Sequence, residues 1–350
     1  MQLVQGRLKK VTAEFESNGS FAMTYKGQKS DKGLVSGLLG WDPGDPRIPY
    51  SLEEAQRQGI DVVFEIKKFK ADHPNTVRIT LIDEFDEKVE LTALSVGGGM
   101  VEIVEINGFA CSVAGDFYEL FVFFKDSEKE LMDDVKKNLE SMGVDIQYSH
   151  FSKVDNRGLI NIKTEKPVPD TTVMELKKLN KVTQVKQVAP VLPVISRRSS
   201  EVPFRTASKM LEIARENHMQ LWEIATFYEA GRSGWSKEEV FSKMKQIATI
   251  MTSSVQTGLD GKMKMEGILR PQSMLIGKAE EKGTLIPVGA INTVISWAMA
   301  VLEVNSSMGI VVAAPTAGSC SVLPGAVLGT AEPWVLVMMR RPKHYLRQVV

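Results

Sequence analysis

Alternation of hydrophobic and polar positions marks the first part of the chain as rich in strands. Four segments show this alternation or an enrichment in β-branched residues, and we expect each to form a strand: Leu8–Phe15, Val62–Lys68, Thr76–Asp83 and Lys88–Val96. Between the first two, Ser51 and Glu54 have the spacing of a capping box, which predicts a short helix over Ser51–Gly59. Three consecutive glycines, Gly97–Gly99, then separate two apolar runs and indicate positive φ or a close approach to the backbone.

Between residues 119 and 188 the pattern alternates strands with helices. The predicted order is strand, helix, strand, strand, helix, strand, over Glu119–Lys125, Ser127–Met142, Val144–Val154, Gly158–Thr164, Asp170–Leu179 and Lys181–Val188. This βαββαβ order within about 70 residues is typical of a ferredoxin-like sandwich.

The last part of the chain is helical. Pro190, Pro193 and Pro203 lie among arginines and serines and predict an inter-domain linker over residues 191–205. Beyond it, Ser236 and Glu239 have capping-box spacing, and apolar positions recur at the period of a helix. We expect helices near residues 206–217, 219–230, 237–257 and 287–307. The predicted fold class is therefore α+β, ending in an all-helical domain.

One helical stretch is long and almost uncharged. Glu303 is the only charged residue between Gly283 and Ala331, and Leu285–Leu302 is an uncharged run of 18 residues, just long enough to suggest a membrane span. Against a membrane span, the run contains Pro287 and other poor membrane formers and has no basic flank. The centre of a large helical bundle needs an equally apolar helix. We favour the buried helix, and no membrane partner is expected.

Composition and charge exclude several classes of protein. The 43 Lys and Arg residues balance 43 Asp and Glu residues, which argues against a nucleic-acid partner. Only two cysteines occur, Cys111 and Cys320, and the four histidines are scattered without ligand spacing. This excludes a disulfide-rich secreted scaffold and a self-sufficient zinc or iron–sulfur site. The start of the chain lacks the apolar stretch of a secretory signal, so we expect a cytoplasmic location.

Several segments, in this order along the chain, resemble one enzyme family. They are Gly19–Leu39 (GSFAMTYKGQKSDKGLVSGLL), Asp45–Pro49, Ala71–Thr76 (ADHPNT), Ser95–Gly99 (SVGGG), the βαββαβ unit, and Glu303–Leu328, which contains APTAG. They resemble the β-type domain, the ACT regulatory module and the α-type catalytic domain of the iron–sulfur-dependent L-serine dehydratases, also called L-serine ammonia-lyases.

The resemblance implies five segments. They are a β-type domain over residues 1–110 without the family's N-terminal segment, an ACT-like module over 111–190, a linker over 191–205, a truncated helical α-type domain over 206–329, and an atypical tail over 330–350. The tail has an abrupt basic bias and resembles no part of the family. We interpret it as a mis-joined end; the alternative is a tail that binds an acidic partner.

The resemblance also implies a reaction and a cofactor. The family removes water from L-serine, and the product hydrolyses to pyruvate and ammonia, with an iron of a 4Fe–4S cluster binding the substrate hydroxyl. The cluster cysteines of the family lie beyond APTAG and have no counterpart in this chain, so no residue is assigned as a metal ligand. L-serine is the expected small-molecule partner, and a homo-oligomer is expected. The alternative is a non-catalytic remnant or regulatory protein that keeps the β-type and ACT-like folds.

His73 is the candidate catalytic residue, because the resemblance places it in the family's ADHPNT segment. It could contact the substrate carboxylate or transfer a proton, or else stabilise a turn. The candidate substrate-binding residues are Asn75, Thr76, Gly97, Gly98, Gly99, Asn305, Ser306, Thr316 and Ser319.

Each candidate binding residue also has a structural alternative. Asn75 and Thr76 could donate hydrogen bonds to a carboxylate or cap a turn. The three glycines could present N–H groups to an anion or allow strands to cross tightly. Thr316 and Ser319 could contact substrate or cap a helix, and Asn305 with Ser306 could bond between helices. Cys320 is expected to be a small buried hydrophobe.

Overall fold

A computed structural model describes residues 2–125, 130–191, 202–265 and 269–331. The chain divides into two compact units, Met1–Ile195 and Ser196–Val350. Most of the predicted linker and nearly all of the predicted tail lie outside the described residues, as does the start of the helix that was predicted over Ser127–Met142.

The first unit contains a six-stranded sheet with three short helices. Its strands are β1 (Leu8–Glu16), β2 (Asp61–Lys67), β3 (Thr76–Asp83), β4 (Lys88–Gly97), β5 (Met100–Ile106) and β6 (Phe109–Val113), and its helices are α1 (Ser20–Thr24), α2 (Ser30–Leu38) and α3 (Ser51–Arg57). The strand order is β2-β1-β3-β4-β5-β6. Only the β1–β2 pair is parallel among the described pairs.

Helix α1 packs on this sheet through aromatic side chains. Phe15 of β1 is fully buried and stacks on Tyr25, which follows α1, with ring centroids 4.3 Å apart.

The predicted capping box at the start of α3 is wrong. The Ser51 hydroxyl donates to the Lys32 carbonyl at 2.8 Å instead of capping the helix. A tertiary contact has therefore replaced the local one.

The first unit also holds a four-stranded sheet. Its elements are β7 (Tyr118–Lys125), α4 (Glu130–Ser141), β8 (Ile146–Val154), β9 (Arg157–Thr164), α5 (Asp170–Lys178) and β10 (Val182–Val188). The strand order is β10-β7-β9-β8, with every pair antiparallel. Leu120, Val122 and Phe124 of β7 pack with residues of α4 and α5, whereas Phe121 joins the core of the first sheet. Because successive side chains of β7 point to opposite faces of the sheet, this strand contributes residues to two hydrophobic cores.

The second unit is helical over its described residues. Its helices are α6 (Ala207–Glu216), α7 (Leu221–Ser233), α8 (Lys237–Leu259), α9 (Ser273–Glu281), α10 (Ile291–Ser306) and α11 (Val322–Ala331). The capping box of Ser236 and Glu239 is confirmed, with both hydrogen bonds present. A Cβ added to Gly258 of α8 would lie 2.2 Å from the Ala300 carbonyl oxygen of α10, so these two helices touch through their backbones.

The long uncharged run is only partly buried, which corrects the expectation of a helix that is buried all round. The helix begins at Ile291 rather than near residue 287, and Ile286 and Ile291 are 79% and 57% exposed. Ala300, Val301 and Val304 form the buried face of α10. Within the described ranges, no helix combines the length and the apolar character that crossing a membrane requires.

Candidate functional site

The turn that precedes β3 is built around His73. The Asn75 N–H donates to His73 Nδ1 at 3.1 Å, and the Thr76 hydroxyl donates to the His73 carbonyl at 2.6 Å. Because Nδ1 accepts a hydrogen bond, the proton of the neutral ring lies on Nε2. His73 is half-buried, and the Thr76 side chain is buried with its hydroxyl proton committed to the turn. The ring therefore has one N–H available for a further acceptor.

A second segment, distant in sequence, packs against this turn. The Ser20 hydroxyl donates to Asn75 Oδ1 at 2.6 Å, and the Phe21 N–H donates to the Pro74 carbonyl at 3.3 Å. A Cβ on Gly19 would lie 2.6 Å from that same carbonyl oxygen, so only glycine fits there. The start of the GSFAMT segment and the HPNT turn thus form one polar cluster. Ser20 was not among the predicted site residues, although its segment was one of those that carry the resemblance.

The three consecutive glycines form the turn between β4 and β5. Their φ angles are +94°, +62° and +81°, as expected for a tight turn, and an added Cβ at Gly97 or Gly99 would meet nothing within 4 Å. The Ser95 N–H, two residues before this turn, donates to the Asn75 carbonyl at 3.0 Å. The Asn75 amide in turn lies 3.5 Å from the Ser95 carbonyl. The glycine turn and the His73 turn are therefore at the same end of the first sheet.

The predicted site residues of the second unit form another small cluster. Thr316 and Ser319 make a reciprocal capping box around a single 3₁₀ turn, Ala317–Ser319. The Asn305 side chain, near the end of α10, donates to the Ala317 carbonyl at 3.3 Å. Ser306 ends α10 and is exposed. The hydrogen-bonding groups of Thr316 and Ser319 are largely used within this turn.

Among the described residues of the second unit, Glu303 is the charged side chain that is buried, and it was not predicted as functional. Glu303 is 5% exposed and accepts hydrogen bonds from the Gln272 N–H at 2.6 Å and the Ser273 N–H at 2.9 Å. The Ser273 hydroxyl donates to it as well, at 2.7 Å. Glu303 of α10 therefore caps the first turn of α9 from a neighbouring helix.

The residues of this chain do not fit the ligand set of an iron–sulfur cluster. Such clusters are usually held by four thiolates, and the sequence has two cysteines, which lie in different compact units. Both are buried; burial raises the pKa of the Cys111 thiol to about 12 and also raises that of Cys320. The described residues contain no group of three or more His, Cys, Asp and Glu side chains that could hold a metal ion.

Comparison with known proteins decides the family. A probable L-serine dehydratase beta chain of Bacillus subtilis (strain 168) is 34% identical to this chain over 163 residues, which are 46% of this chain and 73% of that relative. The chain belongs to the L-serine dehydratase family. The L-serine dehydratase beta chain of Peptoniphilus asaccharolyticus is 30% identical over 165 residues, which are 45% of this chain and 72% of that protein.

The L-serine dehydratase resemblance extends to a second type of chain. The serine dehydratase alpha chain family matches residues 206–341. The probable L-serine dehydratase alpha chain of Bacillus subtilis (strain 168) is 29% identical over 129 residues, which are 37% of this chain and 43% of that relative. The chain therefore carries both a beta-type and an alpha-type region, and its match covers less than half of that alpha chain.

Proposed function

We propose that this protein acts in the dehydration and deamination of L-serine to pyruvate and ammonia. The observation that carries the proposal is the contact between the Gly19–Ser20 segment and the turn of His73 and Asn75, within a chain of the L-serine dehydratase family. Two sequence motifs that resemble the family meet there and leave polar groups at one end of a sheet.

The hydrogen bonds of the turn favour a substrate-binding role for His73. With Nδ1 occupied by the Asn75 N–H, the ring donates through Nε2. A donor suits the carboxylate of L-serine better than it suits the Cα–H proton, which would need a free acceptor. Asn75 is oriented by the Ser20 hydroxyl, and its Nδ2 group lies 3.5 Å from the Ser95 carbonyl, which leaves one of the two Nδ2 hydrogens as a second donor. Gly97–Gly99 contribute backbone N–H groups at the same end of the sheet.

The chemistry beyond binding requires loss of a Cα proton and of the substrate hydroxyl, after which aminoacrylate hydrolyses to pyruvate and ammonia. In the family, an iron–sulfur cluster supplies the Lewis acid for the hydroxyl. The two buried cysteines do not fit that group, so we assign no residue of this chain to it.

The domain organisation is part of the proposal. We assign residues 1–110 to a β-type domain, 111–190 to an ACT-like module and 206–329 to an α-type region, which lies within the alpha chain family match over 206–341. The antiparallel strand order is β10-β7-β9-β8, and along the chain α4 connects β7 to β8 and α5 connects β9 to β10. This arrangement supports the ACT-like assignment. We also propose a cytoplasmic assembly of several copies; relatives named as separate beta and alpha chains support association between the two types of region.

A second candidate function follows from the cysteines. If no cluster forms on this chain and no other polypeptide supplies one, the chain is a non-catalytic or regulatory protein that keeps the substrate-binding turn. Pyruvate release from L-serine, measured anaerobically after addition of iron and sulfide, separates the two candidates. Catalysis predicts release that the change His73→Gln lowers at least about tenfold and that His150→Gln, a matched change on β8, leaves unaltered. No release at all favours the second candidate, and release unaffected by His73→Gln contradicts the proposed site.

A further inference from the structure

Glu16, the last residue of β1, is a buried carboxylate at the same end of the first sheet as the His73 turn. Its neighbour Phe15 pairs with Val77 of β3, so Glu16 lies beside the point where β3 begins. Phe15 is fully buried, and the alternation of a strand predicts that the next side chain is exposed, yet Glu16 is only 8% exposed. Burial of a carboxylate is unfavourable unless hydrogen bonds replace the lost water. The donors to Glu16 therefore show what this side chain holds in place.

The donors to the Glu16 side chain come from the next two residues. The Asn18 N–H donates to Oε2 at 2.7 Å, and the Ser17 hydroxyl and the Asn18 side-chain amide donate to Oε1 at 3.2 Å and 3.3 Å. The Glu16 carbonyl accepts from the Gly19 N–H at 3.0 Å. The side chain and the backbone of Glu16 thus both hold the turn over residues 17–19, which leads from β1 into α1.

This turn places Gly19 and Ser20 against the segment that precedes β3. A Cβ on Gly19 would lie 2.6 Å from the Pro74 carbonyl oxygen and 3.2 Å from the Glu16 carbonyl oxygen, so the Gly19 backbone fits closely between the two. The next residue, Ser20, donates its hydroxyl to Asn75 Oδ1 at 2.6 Å. Because the fit is close, a change in the path of the turn must shift the Ser20 hydroxyl relative to Asn75.

The orientation of the Asn75 amide decides which group it presents to a substrate. An amide side chain has an acceptor oxygen and a donor nitrogen. The Ser20 hydroxyl occupies the oxygen, so the nitrogen is left to donate to the carboxylate of L-serine. Without that hydroxyl, the amide can turn its oxygen towards the carboxylate, and two acceptors facing each other repel.

We propose that Glu16 is a positioning residue of the L-serine site. Its carboxylate holds the turn over residues 17–19, the turn brings the Ser20 hydroxyl to Asn75, and Asn75 donates to the substrate carboxylate. The inference rests on the proposed function, because it takes Asn75 as a substrate donor. Glu16 acts through Ser20 and is assigned no contact with the substrate.

The proposal is tested by L-serine titrations of the full chain, followed by nuclear magnetic resonance. Glu16→Ala removes the acceptor of all three side-chain hydrogen bonds and should weaken L-serine binding about tenfold. Glu16→Gln keeps an acceptor for the Asn18 N–H and should restore the affinity to within about threefold of the wild type. In the Ser20→Ala background, Glu16→Ala should cause little further loss, because changes that act through one contact are not additive.

Asp83 provides the matched control. It is a buried carboxylate at the other end of β3, where it accepts hydrogen bonds from backbone N–H groups. Asp83→Ala should destabilise the chain, as Glu16→Ala should, but leave the affinity for L-serine unchanged. Unchanged affinity in Glu16→Ala, an equal loss of affinity in Asp83→Ala, or additive losses in the double variant Glu16→Ala/Ser20→Ala would overturn the proposal.

A measurement on the free chain separates this proposal from the proposed function. The side-chain amide signals of Asn75 should move in Glu16→Ala and in Ser20→Ala, and should stay in place in Asp83→Ala. If the wild-type chain does not bind L-serine, the proposed function fails, whereas moved Asn75 signals still support the positioning of Asn75 by Glu16. Asn75 signals that stay in place in Glu16→Ala overturn the inference, whether or not L-serine binds.

Discussion

Glu119 and Lys163 pair across β7 and β9 and are buried together on the face of the four-stranded sheet that packs against the first sheet. Their Oε1 and Nζ atoms are 3.3 Å apart, and Glu119 is 1% exposed. Asn161 of β9 donates to the other carboxylate oxygen at 2.7 Å. Burial raises the pKa of Glu119 to about 7, although Lys163 and Asn161 favour the charged form. The carboxylate therefore takes up a proton near neutrality.

This raised pKa predicts how stability changes with pH. Glu119 in the folded chain holds its proton up to about pH 7, whereas an unfolded glutamate loses it near 4.5. The higher affinity of the folded chain for this proton stabilises the fold fully below pH 4.5, and this stabilisation is lost as the pH rises to about 7. The free energy of unfolding changes by at most about 3 kcal/mol over this range. Denaturant unfolding of Glu119→Gln and the wild type should be measured at pH 5 and at pH 8. We expect the substitution to lower the free energy of unfolding by more at pH 5 than at pH 8. Glu90→Gln, at an exposed site, should show no such pH-dependent difference, and an equal loss at both pH values would refute the assignment.

The close fit of Gly19 against the Pro74 carbonyl predicts a steric effect on the candidate site. Gly19→Ala places a Cβ 2.6 Å from that oxygen and must push the Ser20 segment away from the His73 turn. We expect a loss of about 2 kcal/mol in the free energy of unfolding. L-serine binding should weaken as well.

A matched glycine separates this effect from backbone entropy. Gly33 lies in α2, and an added Cβ there meets nothing within 4 Å. Gly33→Ala should be neutral or stabilise the chain by up to about 1 kcal/mol, because alanine is the better helix former. Denaturant titrations of both variants check the pair. If Gly19→Ala behaves like Gly33→Ala, the contact with Pro74 does not restrict this position.

The buried cap of α9 predicts a large effect from a small change. Glu303→Gln replaces an acceptor of three hydrogen bonds by an amide that can also present an N–H group to the same donors. We expect a loss of about 2–4 kcal/mol in the unfolding of the second unit. Glu238→Gln, in the exposed first turn of α8, should cost less than about 1 kcal/mol. Thermal unfolding followed by circular dichroism gives both values, and equal melting temperatures would contradict the cap.

The sequence was a good guide to the strands and a poorer one to the last helices. Eight strands, β1–β4 and β7–β10, were given predicted bounds, and these differ from the observed ones by at most two residues, whereas β5 and β6 were given no predicted bounds. Helix α11 was missed because it is apolar on every side and contains Pro324, Gly325 and Gly329, so it shows no helical period. Its glycines serve close packing: a Cβ on Gly325 would lie 2.7 Å from Ala298.

In the candidate site, too, contacts between residues close in sequence were predictable, and contacts between distant residues were not. The HPNT turn was evident from its motif, and its internal hydrogen bonds follow from local turn chemistry. The Ser20–Asn75 bond joins residues 55 positions apart, and no local pattern predicts it. The capping box predicted from the Ser51–Glu54 spacing was wrong for the same reason. The Ser51 hydroxyl donates to the Lys32 carbonyl, which is distant in sequence.

The two thiols should be unreactive in the folded chain. Both are buried, and burial raises their pKa values, so few thiolates exist at pH 8. Labelling with a thiol-reactive dye should be slow in buffer and reach two groups per chain in denaturant. The chain with iron and sulfide added anaerobically should hold no stoichiometric four-iron cluster. Close to four irons per chain, lost on Cys320→Ala, would show that the ligand assignment is wrong.

The most direct test of the account is the state of the His73 ring when L-serine binds. Nitrogen-15 spectra of the full chain can distinguish a protonated from an unprotonated ring nitrogen. The account predicts that Nδ1 accepts the Asn75 N–H and that Nε2 carries the donated N–H, with an Nε2 signal that shifts as L-serine saturates the site and binding at least about tenfold weaker after His73→Gln. A ring whose signals do not respond to L-serine, together with unchanged affinity in His73→Gln, would contradict the account.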